Sequence, residues 1–173
     1  MIILETERLL LRPWQPEDFE AFATYLEEER WAKFIGGPCG RSEAWRRFAA
    51  IVGHWVLRGY GFWALEEKQT GDFVGSAGLW FPEGWPELEV GYWLMPEKHG
   101  RGYATEAAAK SRSYAFQVMK RDTLVSYIAP DNQASIAVAL RLGAVHEETI
   151  ELDRCGVHRV YRHPRPEGGF LKP

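Results

Sequence analysis

The stretch that decides the fold lies in the middle of the chain, where a strand, a loop with two glycines and a helix follow one another. It reads Leu94-Met95-Pro96-Glu97-Lys98-His99-Gly100-Arg101-Gly102-Tyr103-Ala104-Thr105-Glu106-Ala107. Alternation before the loop predicts a strand, and the residues after it predict a helix from about Tyr103 to Met119. The first turn of such a helix offers unbonded N–H groups and the positive end of its dipole, so the junction favours a bound pyrophosphate.

The loop has a composition that suits close contact with phosphate. Gly100 and Gly102 lack the side chains that would keep phosphate oxygens away from the backbone, and Arg101 can add positive charge. The Gly-Lys-Ser/Thr of a P-loop is absent, and so are the third glycine and the acidic residue of a dinucleotide fingerprint. Two glycines before a helix also occur in loops without a ligand, so this stretch alone leaves the ligand open.

Periodicity predicts the remaining elements on both sides of this junction. The expected helices open at Pro16 and cover about 42–57 and 132–142, and the expected strands cover 7–13, 61–66, 73–79, 87–94, 123–129, 148–153 and 158–162. Gly143 follows the last helix, where a left-handed cap is needed. This order predicts an α/β (α+β) fold, with a single mixed, mostly antiparallel sheet flanked by helices, in one domain over residues 1–173.

Composition narrows the class of protein. The chain has 173 residues, 46% hydrophobic and 26% charged, and its formal charge of −3 argues against binding to a nucleic-acid backbone. No apolar run approaches the ~20 residues that span a bilayer, and the N-terminus turns acidic at Glu5, so we expect a cytoplasmic protein without a membrane partner. Cys39 and Cys155 form no metal-spaced cluster and the histidines are scattered, so no metal site is expected.

The segment from His99 to Ala107 resembles the acyl-CoA loop of the GNAT superfamily of acetyltransferases, and more closely that of its RimJ/RimL branch, named for ribosomal-protein N-terminal acetyltransferases. Further segments match the same branch in the same order. They are Thr6–Pro13 with Glu17-Asp18, Leu88–Leu94, and Asn132–Ile136 followed by Leu142-Gly143-Ala144. Together they cover roughly residues 6–162, and the four matches in one order are specific where each alone is not.

The resemblance implies an N-acetyltransferase fold in which the parallel strands 88–94 and 123–129 splay apart and admit the pantetheine arm of acetyl-CoA. It implies cofactor contacts from Trp93, Leu94, Met95, His99, Gly100, Arg101, Gly102, Tyr103, Ala104, Thr105, Asn132 and Ser135. His99 stands where the family usually has Gln or Arg, which removes one side-chain contact and leaves the backbone cradle. A homodimer is consistent with the family, although no residue indicates one.

Catalysis needs a neutral amine, a polarised thioester carbonyl and a stabilised thiolate. A backbone N–H near Leu94 can polarise the carbonyl, and Glu89, on the strand face of Gly91 and Trp93, can accept the amine proton. An exposed strand glutamate without a role is an equal interpretation of Glu89, and Glu87 is a weaker candidate. The tyrosine acid of many GNAT members is replaced by Ala139. In the RimJ/RimL branch a serine stands earlier in that helix, and the matching residue is Ser135.

Two hypotheses from different classes follow. The first is acetyl transfer from acetyl-CoA to a primary amine, either a protein N-terminus or a small amine, by direct attack in a ternary complex. The second is a non-catalytic acyl-CoA-binding sensor, which the missing tyrosine keeps open. The acidic run Glu27-Glu28-Glu29 could attract a cationic substrate, but a solvated helix face is the more ordinary interpretation of it.

Overall fold

The computed structural model describes residues 2–153 and 155–165, so the other residues of the predicted 1–173 domain lie outside the described part. Eight strands form one sheet with flanking helices. The strands are β1 (Leu4–Glu5), β2 (Leu9–Arg12), β3 (Phe62–Glu67), β4 (Phe73–Trp80), β5 (Glu89–Leu94), β6 (Val125–Ile128), β7 (Val145–Leu152) and β8 (Gly156–Arg162). The α-helices are α1 (Asp18–Glu27), α2 (Glu29–Ala32), α3 (Arg41–Arg58), α4 (Tyr103–Ser113) and α5 (Gln133–Arg141).

The sheet has the order β1-β2-β3-β4-β5-β6-β8-β7. Neighbouring strands are antiparallel throughout, except that β5 and β6 run parallel. That parallel pair has a single paired position, Glu89 with Val125, beyond which the two strands separate. The predicted α/β class, the mixed and mostly antiparallel sheet, and the splayed central strand pair are therefore confirmed.

Two apolar layers cover the two faces of the sheet. On one face α4 packs on the central strands, where its alanines Ala107 and Ala108 are fully buried and let the helix lie close to the sheet. On the other face α1 and α3 pack through an aromatic cluster that includes Trp14, Phe22 and Phe48. Strand β5 therefore has one side turned to α4 and the other to α1 and α3.

The predicted boundaries shift in places where local pattern is weak. The helix predicted over 103–119 is α-helical only to Ser113 and then forms a π-helical turn, Tyr114–Val118. The last hairpin begins at Val145 rather than 148, because the exposed residues at the start of β7 show no alternation of apolar and polar types. The short elements β1 and α2 were not predicted. Gly143 has φ +77°, so its predicted left-handed cap is confirmed.

The N-terminal motif anchors α1 against the sheet. The Arg12 guanidinium donates to both carboxylate oxygens of Asp18, each at 2.8 Å, and both side chains are buried. The Gln15 backbone N–H also donates to Asp18, at 2.8 Å, so this carboxylate closes the turn that leads into the helix. None of the helices in residues 2–153 and 155–165 has the length and apolar character needed to cross a membrane.

Candidate active site

The opening between β5 and β6 exposes backbone groups of β5 that no described strand pairs. Met95 N–H donates to Val74 O at 2.9 Å, and the ladder pairs Trp93 with Ser76 and Gly91 with Gly78. Because backbone groups of successive strand residues point to opposite edges, the intervening residues Tyr92 and Leu94 direct theirs away from β4 and into the split. An extended ligand amide can pair with this edge as an additional strand would.

This geometry narrows the set of backbone contacts expected from the sequence. The backbone groups of Leu94 face the split, and so do those of Tyr92, for which no cofactor contact was predicted. The Met95 N–H is bonded to β4 and its carbonyl accepts from Lys98 N–H at 2.9 Å, so neither group is directed to a ligand in the split. The backbone groups of Trp93 likewise point to β4. The Trp93 side chain is buried against Tyr25, with ring centroids 4.5 Å apart.

Residues 99–105, from here on the phosphate loop, form a turn that only glycine adopts easily. Gly100 has φ +74° and Gly102 has φ +82°, both in the left-handed region. Helix α4 starts at Tyr103, and its first bond to the loop runs from Glu106 N–H to Gly102 O at 3.1 Å. The N–H groups of residues 102–105 therefore have no acceptor within the helix and are available to an anion.

Lys98, just before this loop, has a structural role. It is buried, and its ammonium group donates to Glu67 and Asp72, each at 2.7 Å. The hydroxyl of Tyr103 also donates to Glu67, and the pKa of Glu67 falls to about 2, chiefly because of the hydrogen bond from Lys98. These contacts hold the start of α4 to the β3–β4 turn, so the exposed Arg101 is the cation of the loop that faces solvent.

His99 closes the end of the split that is next to the phosphate loop. Its Nε2 donates to Leu94 O at 2.9 Å, so the imidazole contacts one of the groups that faces the split. Trp31 of α2 packs edge-on against the imidazole, with centroids 5.8 Å apart. Two residues further on, Lys33 reaches across to Asp131, at 2.5 Å, in the loop before α5. The segment that includes α2 thus spans from the β5 side of the split to the β6 side.

The N-terminal end of α5 lies on the β6 side of the split. The Asn132 side chain accepts from Ser135 N–H at 3.2 Å, which caps the helix. The Tyr92 hydroxyl donates to Ser135 O at 2.9 Å and so joins β5 to α5 across the opening. The Ser135 side chain also hydrogen-bonds with the Tyr92 hydroxyl, so it borders the opening beside Tyr92. Strand alternation places Tyr92 on the face of β5 opposite to that of Glu89 and Gly91. This alternation could have identified Tyr92 from the sequence as a residue that contacts α5.

Glu89 lies at the closed end of the split, on the face turned to α1 and α3. Its carboxylate accepts from Trp85 Nε1 at 2.9 Å and from the backbone N–H of Tyr127. Burial raises the pKa of Glu89 to about 7, and these two donors oppose the rise without cancelling it. Phe62 lies beside Gly91, where an added Cβ would stand 2.9 Å from its ring, so glycine keeps this aromatic wall next to Glu89.

The other carboxylate candidate has a different environment. Glu87 is paired with Arg162 at 2.8 Å and accepts from the Thr123 hydroxyl at 3.0 Å. The hydrogen bond from Arg162 is the main cause that lowers the pKa of Glu87, which makes it a poor proton acceptor.

Ala139, which stands where many GNAT members have a tyrosine, is fully buried in the small cluster beneath α5. The contact of Trp85 with Glu89 was not predicted, because Trp85 lies in the loop before β5, where no periodicity indicates its partner.

The described residues contain no group of three or more His, Cys, Asp or Glu side chains able to hold a metal ion. Cys39 and Cys155 are both free thiols, and Cys155 is exposed. The chemistry available at the split therefore comes from backbone N–H groups, the Glu89 carboxyl and the Ser135 hydroxyl.

The chain is similar to known proteins in sequence and in fold. The chain is similar to the crystal structure of an acetyltransferase from Agrobacterium tumefaciens str. C58, with 34% identity, 95% of each chain covered and a TM-score of 0.88. It is 28% identical over 147 residues to the uncharacterised N-acetyltransferase YoaA of Bacillus subtilis, covering 82% of this chain and 81% of YoaA. It is also 37% identical over 98 residues to YkkB of Bacillus subtilis, of which the chain spans 56%.

More distant structures share the fold. One is RimL, the ribosomal L7/L12 α-N-protein acetyltransferase, in complex with coenzyme A, with 18% identity, 94% and 96% coverage and a TM-score of 0.74. Ribosomal-protein acetyltransferases are thus among the neighbours, in agreement with the RimJ/RimL resemblance. The family model for the acetyltransferase (GNAT) domain matches residues 8–145, which is most of the chain. This protein therefore belongs to the GNAT family of acetyltransferases.

Proposed function

We propose that this protein transfers the acetyl group of acetyl-CoA to a primary amine by direct attack in a ternary complex. One observation carries the proposal, namely the split edge of β5, which has the phosphate loop at one end and a half-buried carboxyl group at the other. Family membership supports an acetyltransferase, and the family uses acetyl-CoA. The residues that flank the split supply each of the three requirements of the chemistry.

The residues present fit acetyl-CoA. The N–H groups of residues 102–105 and the positive φ angles of Gly100 and Gly102 suit the pyrophosphate. The backbone groups of Leu94 that face the split would pair with a pantetheine amide, and Asn132 and Ser135 border the same opening. The His99 side chain shares the Leu94 carbonyl, whose second lone pair remains for a ligand. The group that acetyl-CoA supplies when bound is a thioester, an activated acyl donor.

The proposed reaction uses Glu89 as the base. The amine loses a proton to the Glu89 carboxylate, directly or through water, and its nitrogen attacks the thioester carbonyl carbon. Backbone N–H groups at the split, from Tyr92 or Leu94, stabilise the negative charge on the carbonyl oxygen. The C–S bond then breaks, the Ser135 hydroxyl donates a hydrogen bond to the departing thiolate, and the remaining excess proton on the acylated nitrogen passes through solvent to the sulfur. The products are the N-acetylated amine and free CoA.

The acceptor class follows from the strength of this base. A carboxyl with a pKa of about 7 is matched to an α-amine, whose pKa is about 7.7–8.0, better than to a lysine at about 10.4. Among the structural neighbours, RimL is named for an α-N-protein substrate, and a spermidine N-acetyltransferase from Vibrio cholerae is in complex with CoA and spermine. We therefore propose a protein N-terminus or a small amine as the acceptor.

Free-thiol release from acetyl-CoA, measured against a panel of short peptides, polyamines and small amines, tests the function. We expect release that depends on one amine class and falls at least a hundredfold in Glu89→Gln, the lower end of what a general base contributes. Glu87→Gln is the matched control, because Glu87 is held by Arg162, and its release should stay near that of the wild type.

Two results would contradict the proposal in different ways. Calorimetric binding of acetyl-CoA with no acceptor-dependent release across the panel would favour the sensor hypothesis over the enzyme. Failure to bind acetyl-CoA at all would contradict the assignment of the split and the phosphate loop together.

A further inference from the structure

Arg8 lies just before β2, and both its backbone N–H and its backbone carbonyl are hydrogen-bonded. Its N–H donates to Glu106 Oε1 at 2.9 Å, and its carbonyl accepts from Lys68 N–H at 2.9 Å. Thr6, two residues earlier, donates its hydroxyl to the same Glu106 oxygen at 2.6 Å. The N-terminal motif that contains Thr6 and Arg8 is thus tied to the first turn of α4, almost one hundred residues further along the chain.

The Arg8 side chain contacts the phosphate loop on both sides of Gly102. Its Nε donates to Glu106 Oε2 at 2.7 Å, and its Nη1 donates to Arg101 O at 2.8 Å. The guanidinium carbon lies 4.6 Å from the centroid of the Tyr103 ring. A planar guanidinium with several fixed donors can hold a carbonyl, a carboxylate and an aromatic face together, which a lysine ammonium cannot do.

The charge of Glu106 gives this contact a consequence for binding. Glu106 lies in the first turn of α4, next to the N–H groups that are open to an anion, and an uncompensated carboxylate there would repel a diphosphate. Arg8 and Thr6 use both of its oxygens. The carboxylate is therefore neutralised and held on the side of the helix that faces β2.

We propose that Arg8 is a positioning residue that holds the phosphate loop and offsets Glu106, and so sets the affinity for the diphosphate end of acetyl-CoA. This inference rests on the proposed function of the loop as a CoA site. Arg8 acts through Arg101, Tyr103 and Glu106, and takes no part in the transfer of the acetyl group. Its effect should therefore depend on whether the substrate carries the diphosphate.

The test compares acetyl-CoA with acetyl-pantetheine, which has the same thioester and lacks the diphosphate. In Arg8→Gln we expect KM for acetyl-CoA to rise about tenfold, the effect of losing one charge-assisted hydrogen bond, with kcat unchanged. For acetyl-pantetheine, kcat/KM should equal that of the wild type. Arg8→Lys keeps the positive charge but lacks the planar guanidinium with its several donors, and its KM for acetyl-CoA should be intermediate. Arg41→Gln removes an exposed partner of Glu20 outside the site and is the matched control.

Equal losses with both substrates in Arg8→Gln and Arg8→Lys would reduce Arg8 to a general structural role and overturn the proposal. Unchanged KM values with both substrates would overturn it as well. Calorimetric titration of CoA and of pantetheine measures the same difference without an acceptor, so the role of Arg8 can be judged even if no amine is found. A wild-type protein that binds neither compound would instead contradict the proposed function.

Discussion

At the scale of single residues, the proposed role of Glu89 as the base predicts how activity should depend on pH. Burial raises its pKa to about 7, so the ionised fraction that can accept a proton grows as the pH rises through 7. We expect kcat/KM to increase between about pH 6 and pH 8 along an acid limb centred near 7. A full pH profile of the wild type and of Glu89→Gln checks this, and an identical limb in both would exclude Glu89 as its source.

The same pKa shift predicts a change in stability. The folded state binds the Glu89 proton more tightly than the unfolded state, so its contribution to the free energy of unfolding is complete below about pH 4.5 and is lost as the pH rises through 7. Glu89→Gln stays neutral, so its melting temperature relative to the wild type should be higher at pH 8 than at pH 5. Scanning calorimetry at both values measures the difference, and equal differences would mean that Glu89 titrates as an exposed carboxyl does.

Sequence reasoning found some of these residues and missed others for a physical reason. Glu89 follows from strand alternation and the neighbouring motif, both of which are local. Arg8 contacts Glu106 from a position 98 residues away, and Trp85 reaches Glu89 from an irregular loop. Neither contact leaves a periodic signal, because each depends on which elements the sheet brings side by side.

At the scale of elements, the start of α4 depends on a backbone conformation that only glycine adopts easily. An alanine at Gly102 would have to keep φ near +82°, at about 1–2 kcal/mol, and its Cβ would lie 3.4 Å from Arg8 Nη2. We expect Gly102→Ala to melt at a lower temperature and to bind acetyl-CoA more weakly.

The comparison for this variant is Gly53→Ala. Gly53 lies inside α3, has no positive φ and has nothing within 4 Å of an added Cβ. Alanine should stabilise the helix there by about 0.5–1 kcal/mol, the usual difference in helix propensity. Thermal melts and acetyl-CoA titrations on both variants are the measurement. If Gly102→Ala proved as stable as the wild type, the left-handed turn would not be a requirement of the loop.

The elements predicted from the sequence are those with a strong local period. The central strands, α3 and α5 follow from alternation or helical spacing, and the cap at Gly143 follows from glycine chemistry. The two-residue β1, the four-residue α2 and the π-helical turn after Ser113 are too short or too similar to α-helix in pattern to be predicted. The split between β5 and β6 came from the family resemblance, since neither strand shows it in its own residues.

At the scale of the whole molecule, the split divides the sheet into two halves that a cofactor would bridge. Among the described residues, β5 and β6 are joined by the pair Glu89–Val125, the neighbouring bond from Val125 N–H to Leu88 O at 3.1 Å, the bond from the Ser126 hydroxyl to Val90 O at 2.7 Å, and the contacts of the Glu89 side chain. We expect acetyl-CoA to slow hydrogen exchange at the amides of Tyr92 and Leu94 by at least tenfold. The amides of Trp93 and Met95, already turned to β4, should not change.

Exchange measured by NMR with and without acetyl-CoA resolves these four neighbouring amides. Protection that appeared equally on Trp93 and Met95 would indicate general stiffening of the molecule rather than pairing along the edge. Protection confined to the phosphate loop would indicate that the pantetheine arm does not enter the split.

The split separates strands that come from the first part of the sequence from strands that come from its second part. Strands β1 to β5 find all their partners within residues 4–94, and β6 to β8 find theirs within residues 125–162, except for the single pair across the opening. A ribosome builds the chain from its N-terminus, and earlier segments can fold while later ones are still being made. The first half-sheet therefore has all its own strands before the second half is synthesised, and the cleft between β5 and β6 can form only after β6 has been added.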